Sequence, residues 1–463
     1  MTPILLIDFG STYTKVTAVD LDSEQYLGSA SSYTTVETDV TEGLANALHL
    51  LEQETGHLEF AHRYACSSAA GGLRMLASGL VPELTAEAAR QASLGAGAKV
   101  LRTYSFQLNE DDAEEIASIN PDIFLLVGGT DGGNTECILH NAQMLASIGG
   151  DFPIVVAGNR NAARQCQRIL ADREVYVCEN VMPRFGTLNI EPAQKVIREV
   201  FLKRIVKAKG LSKTDSLLSG ILMPTPSSVM RAIELLACGC EGEDGIGDLL
   251  AVDVGGATTD IYSVCDGAPT RANTVCKGLP EPFVKRTVEG DIGMRYSIRG
   301  IAEAVGIPRL SKISGIKPPR VEELIAFLRA HTDVTPGGDA ELEALDRALA
   351  SCAIETAVTR HAGTLEEAYT MMGLTYVQSG KDLSGVSNLV VTGGSLIHTS
   401  RTAEIASYAL FNPAQPTSLR PKQAQVLVDR KYILSAMGLL AEQHPTCALR
   451  IMKKEITLDG DSE

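Results

Sequence analysis

One short pattern occurs twice, about half a chain apart, and it restricts the folds open to these 463 residues. Residues 5–19 read LLIDFGSTYTKVTAV, and residues 250–264 read LAVDVGGATTDIYSV. Each copy has an apolar run ending in aspartate, one intervening residue, a glycine, a bend of small and hydroxyl residues, and a second apolar, β-branched run. Runs of this kind are strands, and the bend joins them into a hairpin. A single copy is compatible with a structural turn. Two copies point to a fold of two related halves that brings the bends face to face.

The residues at the bends suit a phosphate chain. Phosphate needs backbone N–H donors at close approach, which favours glycine and small hydroxyl residues at a tight turn. It also needs a cation to offset its charge. Lys15 leaves the first bend, and Asp8 and Asp253 stand at strand ends where they can orient a hydrated Mg²⁺. Gly10, Ser11 and Thr12 form one cradle, and Gly255, Gly256, Ala257 and Thr258 the other. A third turn, Gly393-Gly394-Ser395, follows an apolar run at 389–392; it reads either as a nucleoside contact or as an ordinary strand-to-helix turn.

Between the two copies the texture is alternating α/β. Strands are expected at 63–66, 99–106, 122–127, 153–157 and 174–178, with helices at 84–94, 110–119, 136–148 and 161–170, the pattern of βαβ units on a parallel sheet. Further helices are expected at 40–54, 227–238, 321–330, 340–359 and 430–442. The organisation expected is residues 1–60 and 189–245 for the first half, an inserted α/β domain at 61–188, a second half at 246–452, and a polar, flexible tail at 453–463.

Composition excludes several function classes. A formal net charge of -16 opposes broad binding to nucleic acid or to an anionic membrane. There is no Trp, and aromatics make up 5%, too few for a base-stacking platform. The 10 cysteines are scattered without a CxxC pair, which fits reduced thiols. Cys238 and Cys240 read either as metal ligands or as free thiols at a helix end. Without a signal-peptide pattern or a membrane-length apolar run, a cytoplasmic protein is expected. His140 and His361 read as packing residues, and Cys66 as a buried thiol. LLVGGTDGGN, residues 125–134, reads equally as an anion-binding loop or a tight turn.

Five stretches carry a resemblance. IDFGSTYTK and VDVGGATTD resemble the two phosphate loops of the actin/Hsp70/sugar-kinase ATPase superfamily, PTPSSVMRAI and RKYILSAMGLL its two connecting helices, and VTGGSLIH its adenosine loop. The resemblance implies an α/β, actin-like ATPase fold: duplicated ribonuclease H-like halves around a nucleotide cleft, here with an inserted α/β domain. It implies ATP and Mg²⁺ as cofactors. Asp8 and Asp253 would take metal and catalytic roles, with Gly10, Ser11, Thr12, Thr14, Lys15, Gly255, Gly256, Ala257, Thr258, Gly393, Gly394 and Ser395 contacting the nucleotide. Chaperone-like members carry a Glu where this chain has Thr225, so the attacking water is left to Asp253, to Asp260 or to a partner.

CSSAAGGLRM, LLVGGTDGGN, NIEPA, TVEGDIGMR and RHAG together resemble the glutamate mutase accessory family of the MutL/GlmL type. That likeness implies an ATP-dependent, chaperone-like reactivating factor that helps replace damaged cobalamin. The implied partners are subunits of an adenosylcobalamin-dependent mutase of the glutamate mutase or aminomutase type, and a homodimer is left open. Three alternatives share the fold: a small-molecule kinase, an actin-like filament protein, and a radical-dehydratase activator with an iron–sulfur cluster.

Overall fold

The computed structural model describes residues 1–460 except 11–12, 34–39, 68–72, 209–220 and 372, and only the backbone of 40–41, 205–208 and 221–222. The chain divides into two compact units. The first comprises Met1–Ala232, Gly278–Pro280 and Ser435–Ala448, and the second Ile233–Lys277, Glu281–Leu434 and Leu449–Glu463.

In the first unit, β1 (Pro3–Phe9) is buried along its whole length. Such a run suits a central strand covered on both faces. It forms an antiparallel hairpin with β2 (Tyr13–Asp20), which pairs in turn with β3 (Gln25–Tyr33). Helix α1 (Val40–Thr55) then returns the chain to β4 (His62–Ser67), parallel to β1.

An insert follows. Strands β5 (Leu73–Gly79), β6 (Ala98–Ser105), β7 (Ile123–Leu126), β8 (Ile154–Val156) and β9 (Val175–Val177) alternate with α2 (Glu87–Gly95), α3 (Glu110–Ile119), α4 (Glu136–Ser147) and α5 (Arg160–Ile169). All pair in parallel, in the order β6-β5-β7-β8-β9. Successive residues of β7 enter opposite cores, Ile123 and Leu125 on one side, Phe124 and Leu126 on the other, as a doubly covered parallel sheet requires. The helix expected at 84–94 opens instead with a π-turn, Pro82–Ala86, because the Thr85 hydroxyl accepts the N–H groups of Leu80 and Val81 at 2.7 and 3.0 Å.

Helix α6 (Glu191–Ala208) leads back to β10 (Ile221–Pro224), parallel to β4, and the sheet order is β10-β4-β1-β2-β3. Helix α7 (Thr225–Cys238) starts at once, with Pro226 in its first turn where a missing N–H costs nothing. A two-residue pairing of β11 (Gly239–Cys240) with β12 (Glu243–Asp244) closes the acidic, glycine-rich loop.

The second unit repeats the scheme. β13 (Leu249–Val254) and β14 (Thr259–Val264) form the hairpin. β15 (Thr274–Lys277) belongs to a small side sheet, and β16 (Val284–Glu289) pairs with β14. Helices α8 (Ile298–Val305), α9 (Ile307–Ser314), α10 (Pro318–Ala330) and α11 (Ala340–His361) follow. The last of these is buried on nearly every side, with Leu345, Ala348, Leu349, Ile354 and Val358 inaccessible. β17 (Thr364–Thr370) and β18 (Gly373–Ser379) complete the side sheet. β19 (Asn388–Thr392) lies parallel to β13; after α12 (Gly394–Ile397) and α13 (Thr402–Ala406), β20 (Gln425–Val428) lies parallel to β19.

Three antiparallel strands followed by two parallel ones, in the same spatial order in both units, is the ribonuclease H-like topology. Its duplication, with an α/β insert, is the architecture expected from the repeated hairpin.

Two expectations are corrected near the C-terminus. The helix expected at 430–442 is α14 (Leu434–Ala441), because Asp429 accepts the N–H groups of Ile433 and Leu434 at 2.8 and 3.2 Å and sets its start there. Over its described residues, 453–460, the expected flexible tail does not fray, while 461–463 lie outside the described residues. Helix α15 (Pro445–Glu455) runs through it, β21 (Thr457–Leu458) pairs with β20, and Asp459 takes Arg430 at 2.7 Å.

Candidate functional site

In the first hairpin Asp8 stands opposite Lys15, and Phe9 opposite Thr14. At the bend the Gly10 N–H donates to the Tyr13 carbonyl at 3.1 Å. A Cβ on Gly10 would lie 2.5 Å from that oxygen, so only glycine fits the turn. Ser11 and Thr12 lie outside the described residues. Thr14, expected to contact the nucleotide, is wholly buried; it supports the bend from within the sheet.

Asp8 ends its strand beside two others. Cys66 of β4 is its neighbour in register, and β10 delivers Thr225 as the first residue of α7. The Thr225 hydroxyl donates to Asp8 Oδ1 at 2.6 Å, and its oxygen lies 3.6 Å from Cys66 Sγ. Burial pushes the Cys66 thiol well above its ordinary range, and the Asp8 charge adds to the shift. A thiol so held is no nucleophile.

The second hairpin reproduces this turn. Asp253 stands opposite Asp260, and Val254 opposite Thr259. The Gly255 N–H donates to the Thr258 carbonyl at 2.9 Å, and a Cβ there would lie 2.9 Å from the same oxygen. Gly256 and Ala257 are exposed at the tip. Thr259, the counterpart of Thr14, is likewise wholly buried, and its hydroxyl donates to the Ile292 carbonyl at 3.0 Å. Asp253 is half-buried, with the Tyr432 hydroxyl 3.4 Å from Oδ1. Asp260 Oδ1 receives Arg286 Nε and Nη2 at 2.9 and 2.6 Å, and Oδ2 receives Thr258 Oγ1 at 3.2 Å. Both its oxygens are engaged by the protein, which leaves it poorly placed to take a proton from water.

The third turn meets the second hairpin. β19 ends at Thr392, in register with Asp253. Gly393 follows at φ +105, where a Cβ would meet the Val254 carbonyl oxygen at 2.4 Å. Gly394 is exposed, while Ser395 Oγ is buried with no hydrogen-bond partner among the described residues. The first unit therefore gathers Asp8, Gly10 and Lys15 at one set of strand ends. The second gathers Asp253, Gly255, Gly256, Ala257, Thr258, Gly393, Gly394 and Ser395 at the other. Among the described residues no three His, Cys, Asp or Glu side chains converge as a metal site. Single carboxylates at strand ends fit Mg²⁺ held through its water shell.

The family model described as MutL protein matches residues 4–456. Protein MutL of Clostridium tetanomorphum is 49% identical over 458 residues, covering 98% of this chain and 99% of that one. The chain belongs to the MutL family. Among solved structures, xylulose kinase from Lactobacillus acidophilus is 12% identical, covering 99% of this chain and 93% of that one, with a TM-score of 0.37. The activator of 2-hydroxyisocaproyl-CoA dehydratase from Clostridium difficile, with bound ADPNP, is 10% identical, covering 98% of each, with a TM-score of 0.32. The strand orders, and not these distant likenesses, define the fold.

Two of the stretches that resemble the MutL family, TVEGDIGMR and RHAG, brace the second hairpin. In TVEGDIGMR, the Met294 N–H donates to the Gly255 carbonyl at 3.0 Å, and the N–H groups of Arg295 and Tyr296 both donate to the Gly256 carbonyl at 2.9 Å. A Cβ on Gly293 would lie 2.4 Å from the Ala257 carbonyl carbon. Arg295 is anchored by a two-pronged pair with Asp346, at 3.0 and 2.7 Å. RHAG holds TVEGD in turn. Arg360 pairs with Glu289 and Asp291, and buried His361 is bonded to Thr287 and Ser263 at 2.8 Å each. No sequence pattern marked these residues as loop supports.

LLVGGTDGGN is laced together by side chains from outside it. Buried Asn159 accepts the Gly132 N–H and donates to the carbonyls of Gly133 and Asn134, at 3.1 to 3.2 Å. Asn180 donates to the Gly129 carbonyl and to Asp131 Oδ1, each at 3.0 Å. With its polar groups so occupied, the tight-turn reading accounts for the loop. Of CSSAAGGLRM, residues 68–72 lie outside the described residues. His140, on α4, is bonded to the Leu108 carbonyl at 2.8 Å.

Proposed function

We propose that this MutL-family protein binds Mg·ATP through its duplicated phosphate loops and uses it as an accessory factor of a glutamate mutase or related adenosylcobalamin-dependent enzyme. One observation carries the nucleotide reading. Both hairpins place an aspartate at a strand end and, two residues on, a glycine whose N–H closes the bend on the carbonyl three residues later. Asp8 and Asp253 orient the metal through water. The phosphate-contacting residues of this reading are Gly10, Ser11, Thr12 and Lys15 in the first hairpin and Gly255, Gly256, Ala257 and Thr258 in the second. Gly393, Gly394 and Ser395 take the nucleoside. Bound ATP supplies the free energy that separates two conformations of differing affinity for the client. The insert, residues 61–188, docks the mutase, and ATP turnover resets the protein after damaged cobalamin has left.

Gel filtration with a cobalamin mutase, with and without ATP, tests this reading. Co-elution should depend on nucleotide, and Asp8→Ala and Asp253→Ala should abolish that dependence while melting as the parent does. Co-elution that ignores nucleotide, or unchanged ATP turnover in both variants, would overturn it.

A further inference from the structure

Thr225 stands where chaperone-like relatives of the fold place a water-orienting Glu, and the structure gives it a different task. A hydroxyl has one proton to donate, and the Thr225 proton points to Asp8 Oδ1 across 2.6 Å. Asp8 is only 6% exposed, and a charge-assisted bond in such surroundings is short and strong. The Sγ of Cys66 lies 3.6 Å from the Thr225 hydroxyl oxygen. The three groups come from the ends of three adjacent strands, β4, β1 and β10, and the backbone of each is fixed by the sheet. One rotation of the Asp8 carboxylate is thereby selected.

We infer that Thr225 is a positioning residue: it orients the Asp8 carboxylate for the hydrated metal and does not itself act on water. The inference rests on the Mg·ATP reading above. Groups that orient a metal-facing carboxylate typically contribute about 10- to 100-fold in metal affinity. Calorimetric titration of a non-hydrolysable ATP analogue across a Mg²⁺ series measures that contribution without reference to turnover. Thr225→Val, which keeps the shape and removes the hydroxyl, should raise the Mg²⁺ needed for half-maximal binding about 10-fold. Thr225→Ser should restore the wild-type value within about 2-fold, since it returns the donor. In a Asp8→Asn background the Val substitution should have little further effect, because the partner it serves is gone. Wild-type Mg²⁺ dependence in Thr225→Val, or full additivity with Asp8→Asn, would overturn the inference and leave the nucleotide reading intact. A wild-type protein whose analogue binding ignores Mg²⁺ would overturn both. If Thr225→Val does not fold, the Ser variant and the Asp8→Asn pair with Thr225→Ala carry the same comparison.

Discussion

Lys15 and Asp260 occupy the same position in the two hairpins, each opposite the strand-end aspartate, yet they carry opposite charge. An aspartate facing Asp253 is tolerable because buried Arg286 neutralises it through two bonds to one oxygen. That difference was visible in the aligned stretches, but the arginine that explains it was not, since Arg286 lies on another strand. The same holds for Lys381, which is wholly buried and donates to the carbonyls of Pro282 and Phe283 at 2.9 and 2.7 Å. Burial lowers its pKa to about 8. The unfolded chain keeps the proton up to the ordinary value near ~10.4, so between these limits the unfolded state binds more protons and stability rises with pH. Urea unfolding of the wild type should therefore show a gain over Lys381→Met between about pH 8 and pH 10. Parallel pH profiles for the two proteins would show that the buried ammonium contributes nothing.

At the scale of elements, the first turn of α7 acts as a junction. Thr225 reaches Asp8, Ser227 reaches the Ala96 carbonyl at 3.0 Å, and Ser228 reaches the Ser435 carbonyl of α14 at 2.6 Å. The small residues Ser228 and Gly438 let the two helices meet here. A Cβ on Gly438 would lie 1.8 Å from the Ser228 carbonyl oxygen, so α7 and α14 approach to backbone contact. Gly438→Ala forces them apart and should cost about 2 kcal/mol or more, within the range for overpacked cores; a melting temperature equal to the parent's would contradict the crossing described. Sequence pattern located both helices, because apolar spacing and the proline are local signals. It did not place the start of α14, which depends on Asp429 in the preceding strand end.

For the molecule as a whole, the proposed coupling of nucleotide to client has a physical route within the first unit. Ala96 closes helix α2 of the insert, and Ser227 joins it to the turn that holds Asp8. Ser227→Ala should bind ATP as the wild type does and lose the ATP-dependent change in mutase co-elution; retention of that change would remove this route. The duplicated hairpins, the α/β insert and the candidate phosphate residues were all legible in the chain itself. Strand runs, glycine turns and helical spacing are set by neighbours in sequence. Other features were decided only in three dimensions. Thr225 meets Asp8 across 217 positions, residues 294–296 support the loop at 255–256, and residues 457–458 of the polar tail pair with β20 at the sheet edge. Each of these joins backbone or side-chain donors to acceptors that become neighbours only when distant strands align, and no local periodicity records which strand ends will meet.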